Sequence, residues 1–253
     1  MLDTISQRFD RLAPFVTEYG PEDDTQRPAV LLFHACNGVR DHIHAYARQA
    51  AGLGLRAFVV DSFAPRGWDY TAAISLVCSG LALHGYERSG DVLAAVWGLS
   101  RRPDVDAARL VLAGWSHGGW SIMDLMAQKL ERQGEARLAD PDPAILAGVR
   151  GAFLVYPYIN VPALSGTHAW VTRPKTLAVL ADRDFLTPHH HAVGVLGHLR
   201  DEGVPMETVT LDATHCFDED GMHFGPLMHY DAGAHAVTRA AFDRFLKETL
   251  DVR

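Results

Sequence analysis

Short, nearly continuous apolar runs recur along the chain, with longer stretches of helix-like spacing between them. The runs cover residues 29–33 (AVLLF), 56–61 (RAFVVD), 109–114 (RLVLAG), 151–158 (GAFLVYPY), 175–182 (KTLAVLAD) and 206–212 (METVTLD). Strands covered on both faces lose the polar alternation of a half-exposed sheet, so these runs predict buried parallel strands. Residues 42–53, 89–100, 119–133, 188–201 and 232–250 predict helices. In the last, Val237, Ala241, Phe242, Phe245 and Leu246 fall on one stripe. Thr187 before Pro188 predicts a helix cap followed by proline at the first helical position. Alternating strands and helices predict an α/β fold, with a mostly parallel central sheet flanked by helices on both faces, in a single domain over 1–253. Segments 67–87 and 160–170 fit neither element and are candidate pocket walls or a small lid.

One junction carries more than periodicity. The run RLVLA leads directly into Gly114-Trp115-Ser116-His117-Gly118, and a helical pattern, GWSIMDLMAQKL, follows. A strand that enters a helix through so tight a turn forces its apex residue into a strained backbone, and flanking side chains would collide with neighbouring elements. Glycine removes the collision. The pattern Gly-x-Ser-x-Gly in this setting predicts that the Ser116 hydroxyl stands clear of the sheet, with the helix N-terminus supplying N–H groups for developing negative charge.

A serine hydroxyl is a weak nucleophile until an oriented base takes its proton. In the order Ser, acid, His expected after such a turn, ADRDFLTP follows one strand and ATHCFDEDG the next. Both lie past the carboxyl ends of strands, where open α/β sheets place their sites. His215 is the candidate base. Asp182 and Asp184 compete for the acid; Asp184 lies farther into the turn, whereas Asp182 serves equally well as a loop cap. Of the other histidines, His34 ends a buried strand and reads as structural. His189, His190 and His191 cannot share a helix face, and the six-residue spacing of His223, His229 and His235 also disperses them around a helix. No metal site is assigned.

Composition narrows the partners. The chain has 31 acidic and 23 basic residues, a net charge of −8, and scattered arginines, which excludes the clustered basic footprint of nucleic-acid binding. Neither a secretory apolar core near the start nor a membrane-length apolar stretch occurs, so a cytoplasmic protein without a membrane partner is expected. Three cysteines, Cys36, Cys78 and Cys216, are too few and too far apart for a disulfide framework or zinc cluster, and buried free thiols are expected. The oligomeric state is not legible.

Together FHACNG, VDSFAPRG, AGWSHGG, ADRDFLTP and ATHCFD resemble the dienelactone hydrolase family of α/β-hydrolases, from about Ala29 to the closing helix. The resemblance implies the α/β-hydrolase fold, the acid at Asp184 and the histidine at His215. It also implies that FHACNG is the oxyanion loop, with backbone N–H groups of Cys36, or alternatively Ala35, and His117 as donors. The dienelactone enzymes typically use cysteine as nucleophile, whereas Ser116 stands here. They hold a substrate carboxylate with arginines; Arg66 is one candidate, although it equally suits pinning its own loop to Asp61 or Asp69. Asp218-Glu219-Asp220 after His215 would repel an anion. Trp115, Phe63, Trp68, Tyr156 and Tyr158 are candidate pocket residues, and Trp115 joins Arg66 as the candidate substrate contacts. The expected activity is hydrolysis of a carboxylic ester or lactone through an acyl-enzyme, acting on a small molecule without a cofactor. An amidase or peptidase with the same residues, and a noncatalytic binding protein of this fold, are the alternatives.

Overall fold

A computed structural model describes residues 2–252. Seven strands form one sheet in the order β1-β3-β2-β4-β5-β6-β7. They are β1 (Val16–Tyr19), β2 (Arg27–Phe33), β3 (Arg56–Val60), β4 (Val105–Trp115), β5 (Val149–Val155), β6 (Lys175–Ala181) and β7 (Met206–Leu211). Neighbours run parallel except at β1, an antiparallel edge strand against β3. The sequence pattern does not reveal β1, because VTEY is half-exposed and lacks an apolar run.

Successive side chains on β2 to β6 feed opposite layers, which explains their apolar runs; β7, expected to be buried, is instead half-exposed because it forms the edge of the sheet. Leu31, Phe33, Leu112 and Leu154 pack with helices α1 (Ile5–Leu12), α4 (Gly85–Leu99), α5 (His117–Met126) and α6 (His189–Asp201). Val30, Leu32, Phe153 and Val155 face the other way, towards α2 (Asp41–Gly52) and α7 (Ala232–Leu250). In α7, Phe242, Phe245, Leu246 and Leu250 are buried, and the Asp231 carboxylate accepts the Ala234 N–H at the start of the helix. Val237, expected on the buried stripe, is instead 48% exposed.

Other departures have local causes. The helix after the Ser116 turn ends at Met126, not near 133, because the N–H groups of Val171 and Thr172 take the Met126 carbonyl. The run 151–158 stops being strand at Val155, where Tyr156 turns to φ +35° ahead of Pro157. Thr187 does not cap α6; its hydroxyl accepts the Ile159 N–H at 3.3 Å, and Pro188 occupies the cap position. His223 and His229 face each other across a small antiparallel hairpin of β8 (His223–Phe224) and β9 (Met228–His229), so only His235 of that trio lies on a helix.

Segment 67–87 folds as α3 (Tyr70–Ala73), a single π-helical turn (Ile74–Cys78) and a loop into α4. This fold-back brings Cys78 to the loop after β2, and Cys36 and Cys78 form a disulfide with their Cα atoms 5.1 Å apart. The expectation of three free buried thiols is thereby corrected: only Cys216 is free. The separation of 42 residues gives no hint of the pairing, because only the fold-back closes it. No helix among the described residues is long and apolar enough to cross a membrane.

Thiol titration of the denatured, unreduced protein should find one reactive thiol, Cys216, and three after reduction; three before reduction would contradict the bridge.

Candidate active site

The site is built around the turn from β4 into α5. Ser116 sits at φ 47°, ψ −109°, a conformation costly for a residue with a side chain. Its neighbours explain why the sequence tolerates it. A Cβ on Gly118 would lie 2.1 Å from the Phe33 carbonyl oxygen, and one on Gly114 would lie 2.6 Å from the Gly118 carbonyl carbon. No side chain fits there, so the glycines let β4, α5 and the end of β2 close on one another.

At this apex the Ser116 hydroxyl lies 2.8 Å from His215 Nε2, and His215 Nδ1 lies 2.6 Å from Asp184 Oδ2. The distances fit an Nδ1–H donating to the carboxylate while Nε2 accepts the serine proton. Asp184 is held from its other oxygen, which accepts the N–H groups of Leu186 at 2.8 Å and Thr187 at 3.0 Å. Asp182 faces away and accepts the Ala213 N–H at 3.2 Å, the loop-capping role. The three side chains arrive from loops after β4, β6 and β7, at the carboxyl edge of the sheet, and all are buried.

The loop after β2 brings Cys36 to the same place. Among the described residues its backbone N–H has no acceptor, and that of His117, first residue of α5, has none within the helix. The His117 ring is buried: Nε2 donates to the Leu83 carbonyl at 2.7 Å, and Nδ1 accepts from Arg88 at 3.2 Å. Burial, followed by the Arg88 charge, pushes its pKa well down, so the ring is neutral at neutral pH. His34 is likewise structural, with Nε2 accepting the Ser62 N–H at 3.1 Å.

Two of the candidate substrate contacts are corrected. Arg66 grips the buried Asp91 carboxylate with both terminal nitrogens, at 2.8 and 3.1 Å, and also bonds the Ser62 carbonyl. Its partner is therefore neither substrate nor Asp61 or Asp69, and it borders neither cavity at Ser116. Trp115 is fully buried below the turn, where its indole N–H donates to Asp218 at 2.9 Å. Phe63, Trp68 and Tyr156 also stay outside the cavities, leaving Tyr158 as the aromatic of that group that lines one.

Asp218, read in the sequence as one of an anion-repelling run, turns inward. Its carboxylate is fully buried and accepts from the Tyr46 hydroxyl at 3.1 Å, the Tyr156 hydroxyl and Trp115. This network ties the histidine loop to the residue before Ser116, and the Tyr156 ring lies 4.7 Å from the His215 ring. Burial, with Asp218 next, drives both tyrosine hydroxyls well above their ordinary pKa, so they remain donors. Glu219 does face the site, fixed by Asn37 at 2.8 and 3.1 Å and by Arg40 at 3.0 Å.

Two cavities meet at Ser116. The larger, about 530 Å³, runs over His215 between Tyr70, Ile74, Phe185 and Phe224, with Glu219 and Arg40 at its border. The smaller, about 350 Å³, lies between Val77, His84, Trp120, Tyr158 and Pro162. The two irregular segments thus supply walls, and the Cys36–Cys78 bridge borders both cavities.

Two buried charged groups near the site carry no sequence signal beyond their residue type. Arg88 reaches under the loop after β2 from α4, and burial pushes it down to about 9, which leaves it protonated at neutral pH. Asp124, two turns along α5, accepts the Leu164 N–H at 2.8 Å and so ties segment 160–170 to the helix; its other oxygen has no partner. Burial pushes Asp124 up to about 7. Among the described residues no group of three or more His, Cys, Asp or Glu side chains is arranged to hold a metal.

Comparison with known proteins places these features in a family. The model of the dienelactone hydrolase family matches residues 16–250. Similar solved structures include the dienelactone hydrolase-like promiscuous phosphotriesterase P91 from metagenomic libraries, with a TM-score of 0.69 and 20% identity over 92% of each chain. The propionate-bound esterase 2 of Thermogutta terrifontis superposes with a TM-score of 0.68 and 18% identity, over 92% of this chain and 88% of that one. These likenesses establish the fold. A probable dipeptidyl-aminopeptidase B of Fusarium vanettenii is 30% identical over 125 residues, which span 47% of this chain and 13% of that protein.

Asp218→Asn replaces one of the two accepting oxygens with an NH2, which then faces either the Tyr156 hydroxyl or the Tyr46 hydroxyl and Trp115 indole together, and should destabilise the fold by on the order of 2 kcal/mol in chemical denaturation; an unchanged midpoint would count against the network. For Asp124, the folded-state pKa is raised from 3.8 to about 7, so its stabilising neutral form is fully present below the unfolded value and lost as pH rises through about 7. The Asp124→Asn variant should therefore gain stability over the parent between pH 4 and pH 8, by on the order of 4 kcal/mol across that window. A pH-independent difference in denaturation midpoint would refute this.

Proposed function

The chain belongs to the dienelactone hydrolase family, and from that premise we propose that it is a serine hydrolase of uncharged carboxylic esters or lactones. The observation that supports this most directly is the unbroken hydrogen-bonded line from Asp184 through His215 to Ser116. In the proposed mechanism Ser116 attacks the carbonyl carbon as its proton passes to His215 Nε2. Asp184 orients the imidazole and stabilises its cationic form. The carbonyl oxygen becomes anionic against the backbone N–H groups of Cys36 and His117; one such donor is typically worth about 100- to 1,000-fold in rate. His215 then gives its proton to the leaving alkoxide, and a water activated by the same nitrogen releases the acid and restores the serine. No step in this mechanism uses a metal or organic cofactor.

The walls of the larger cavity favour an apolar, uncharged substrate group. Ile74, Phe185, Leu186 and Phe224 offer hydrocarbon surface, while the Glu219 carboxylate at the border is already paired with Arg40. Arg66, committed to Asp91, has no free guanidinium for a substrate carboxylate. A second reading, cleavage of an amide or peptide bond with the same residues, draws on the partial likeness to a probable dipeptidyl-aminopeptidase. A purely binding role leaves the aligned Ser116, His215 and Asp184 without purpose. The Cys36–Cys78 bridge weighs against the cytoplasmic expectation, since disulfides persist mainly in oxidising compartments.

A fluorophosphonate probe should label the protein covalently, and Ser116→Ala should abolish both labelling and turnover of p-nitrophenyl butyrate. Absence of labelling in the parent protein would favour a binding role. Turnover of an anilide with none of the matched ester would favour the amidase.

A further inference from the structure

Arg88 is an unusual residue to find where it lies. Its side chain is fully buried in the first turns of α4. Nε donates to the Ser62 hydroxyl at 3.0 Å, and a single nitrogen, Nη1, donates both to the His34 carbonyl at 2.8 Å and to His117 Nδ1 at 3.2 Å. Nη2 is buried without a hydrogen-bond partner. Asp91, one turn along the same helix, is taken up by Arg8 and Arg66. Arg88 thus makes its close contacts with neutral groups and with the face of the Phe63 ring, 5.3 Å away. Withdrawing a guanidinium from water in this way is costly, and a neutral tether would cross-link the same segments without that cost.

The two groups that share Nη1 belong to the two segments that meet at Ser116. The His34 carbonyl begins the loop whose N–H at Cys36 lies free of intramolecular acceptors, and His117 carries the other N–H. These segments already touch, since the Phe33 carbonyl packs where a Gly118 Cβ would stand. Close packing sets how near they come; it does not set their rotation about the contact. A guanidinium bonded to both fixes that rotation, and its plane, anchored through Nε to the Ser62 hydroxyl, holds Nη1 in place better than a flexible ammonium would. Its charge also lies on the donor side of the site, where low polarisability strengthens any attraction for a developing anion.

Resting on the esterase reading above, we propose that Arg88 is a positioning residue for the oxyanion donors: it fixes the Cys36 and His117 N–H groups relative to each other and supplies a buried positive charge behind them. It does not touch substrate. Its effect therefore belongs to the transition state and not to ground-state binding.

The test compares Arg88→Met, which keeps much of the length without charge or donors, and Arg88→Lys, which keeps the charge but has no planar fork. With p-nitrophenyl butyrate, Arg88→Met should lower kcat about 100-fold or more while KM stays within about threefold. Inhibition by phenylboronic acid, which forms a tetrahedral anion on the serine, should weaken in parallel with kcat/KM. Inhibition by butyramide, a neutral ground-state mimic, should hold steady. Arg88→Lys should recover some of the lost kcat and some of the boronate affinity, a rescue that simple repair of packing would not produce. Should Arg88→Met fail to fold, the Lys variant still decides: a kcat and boronate affinity equal to the parent's overturn the proposal. So does a folded Met variant in which butyramide and boronate inhibition weaken equally, because general damage to the pocket then accounts for the loss. A parent protein that neither turns over the ester nor reacts with fluorophosphonate removes the esterase reading itself; an active parent with indifferent Arg88 variants removes the positioning role of Arg88 alone.

Discussion

The close approach of two backbones governs this site. Gly118 packs against the carbonyl of Phe33 so tightly that even a methyl group is excluded, and this contact brings the end of β2 beside the start of α5. Three consequences follow from it. Ser116 is driven to a positive φ at the apex. The first N–H groups of α5 come beside the loop that carries Cys36. The space between those elements is closed to solvent, and in it Arg88, His34 and His117 form their shared network.

Strain of this kind persists only where the surroundings over-determine it, and here the buried carboxylates serve that end. Asp218 collects the Tyr46 and Tyr156 hydroxyls and the Trp115 indole, so the loop bearing His215 is fastened to the residue immediately before Ser116. Asp184 is clamped by two backbone N–H groups on the oxygen that does not face His215. Ser116, His215 and Asp184 are thus held by hydrogen bonds between loops as well as by their own loops. Asp124 acts in the same way behind the smaller cavity, where it ties segment 160–170 to α5.

The elements legible in the sequence are those whose pattern is local. Strands β2 to β6 appear as apolar runs because most of their residues are covered on both faces, whereas β7 is a half-exposed edge strand; Gly114-Trp115-Ser116-His117-Gly118 is legible because the pattern itself is compact, although the backbone that demands Gly118 is that of distant Phe33. Asp184 is harder to assign, since Asp182 has the same chemistry two positions away; the turn that aims one at His215 and the other at the Ala213 N–H is a property of the folded loop. The end of α5 is illegible for a related reason: the Met126 carbonyl is claimed by residues more than forty positions later.

Local spacing was therefore enough to establish the alternation of strands and helices and the strained turn, because each is written within a few residues, and the order of serine, acid and histidine is read off the chain without any contact. It took the packed molecule to settle the pairing of Cys36 with Cys78, the capture of Arg66 by Asp91, the withdrawal of Trp115 and Asp218 from the pocket and the placement of Arg88 beneath the loop after β2. One cause underlies all four. A charged, polar or thiol side chain satisfies itself with whatever partner the fold brings within about 3 Å, and that partner comes from a distant element whose approach no local pattern records.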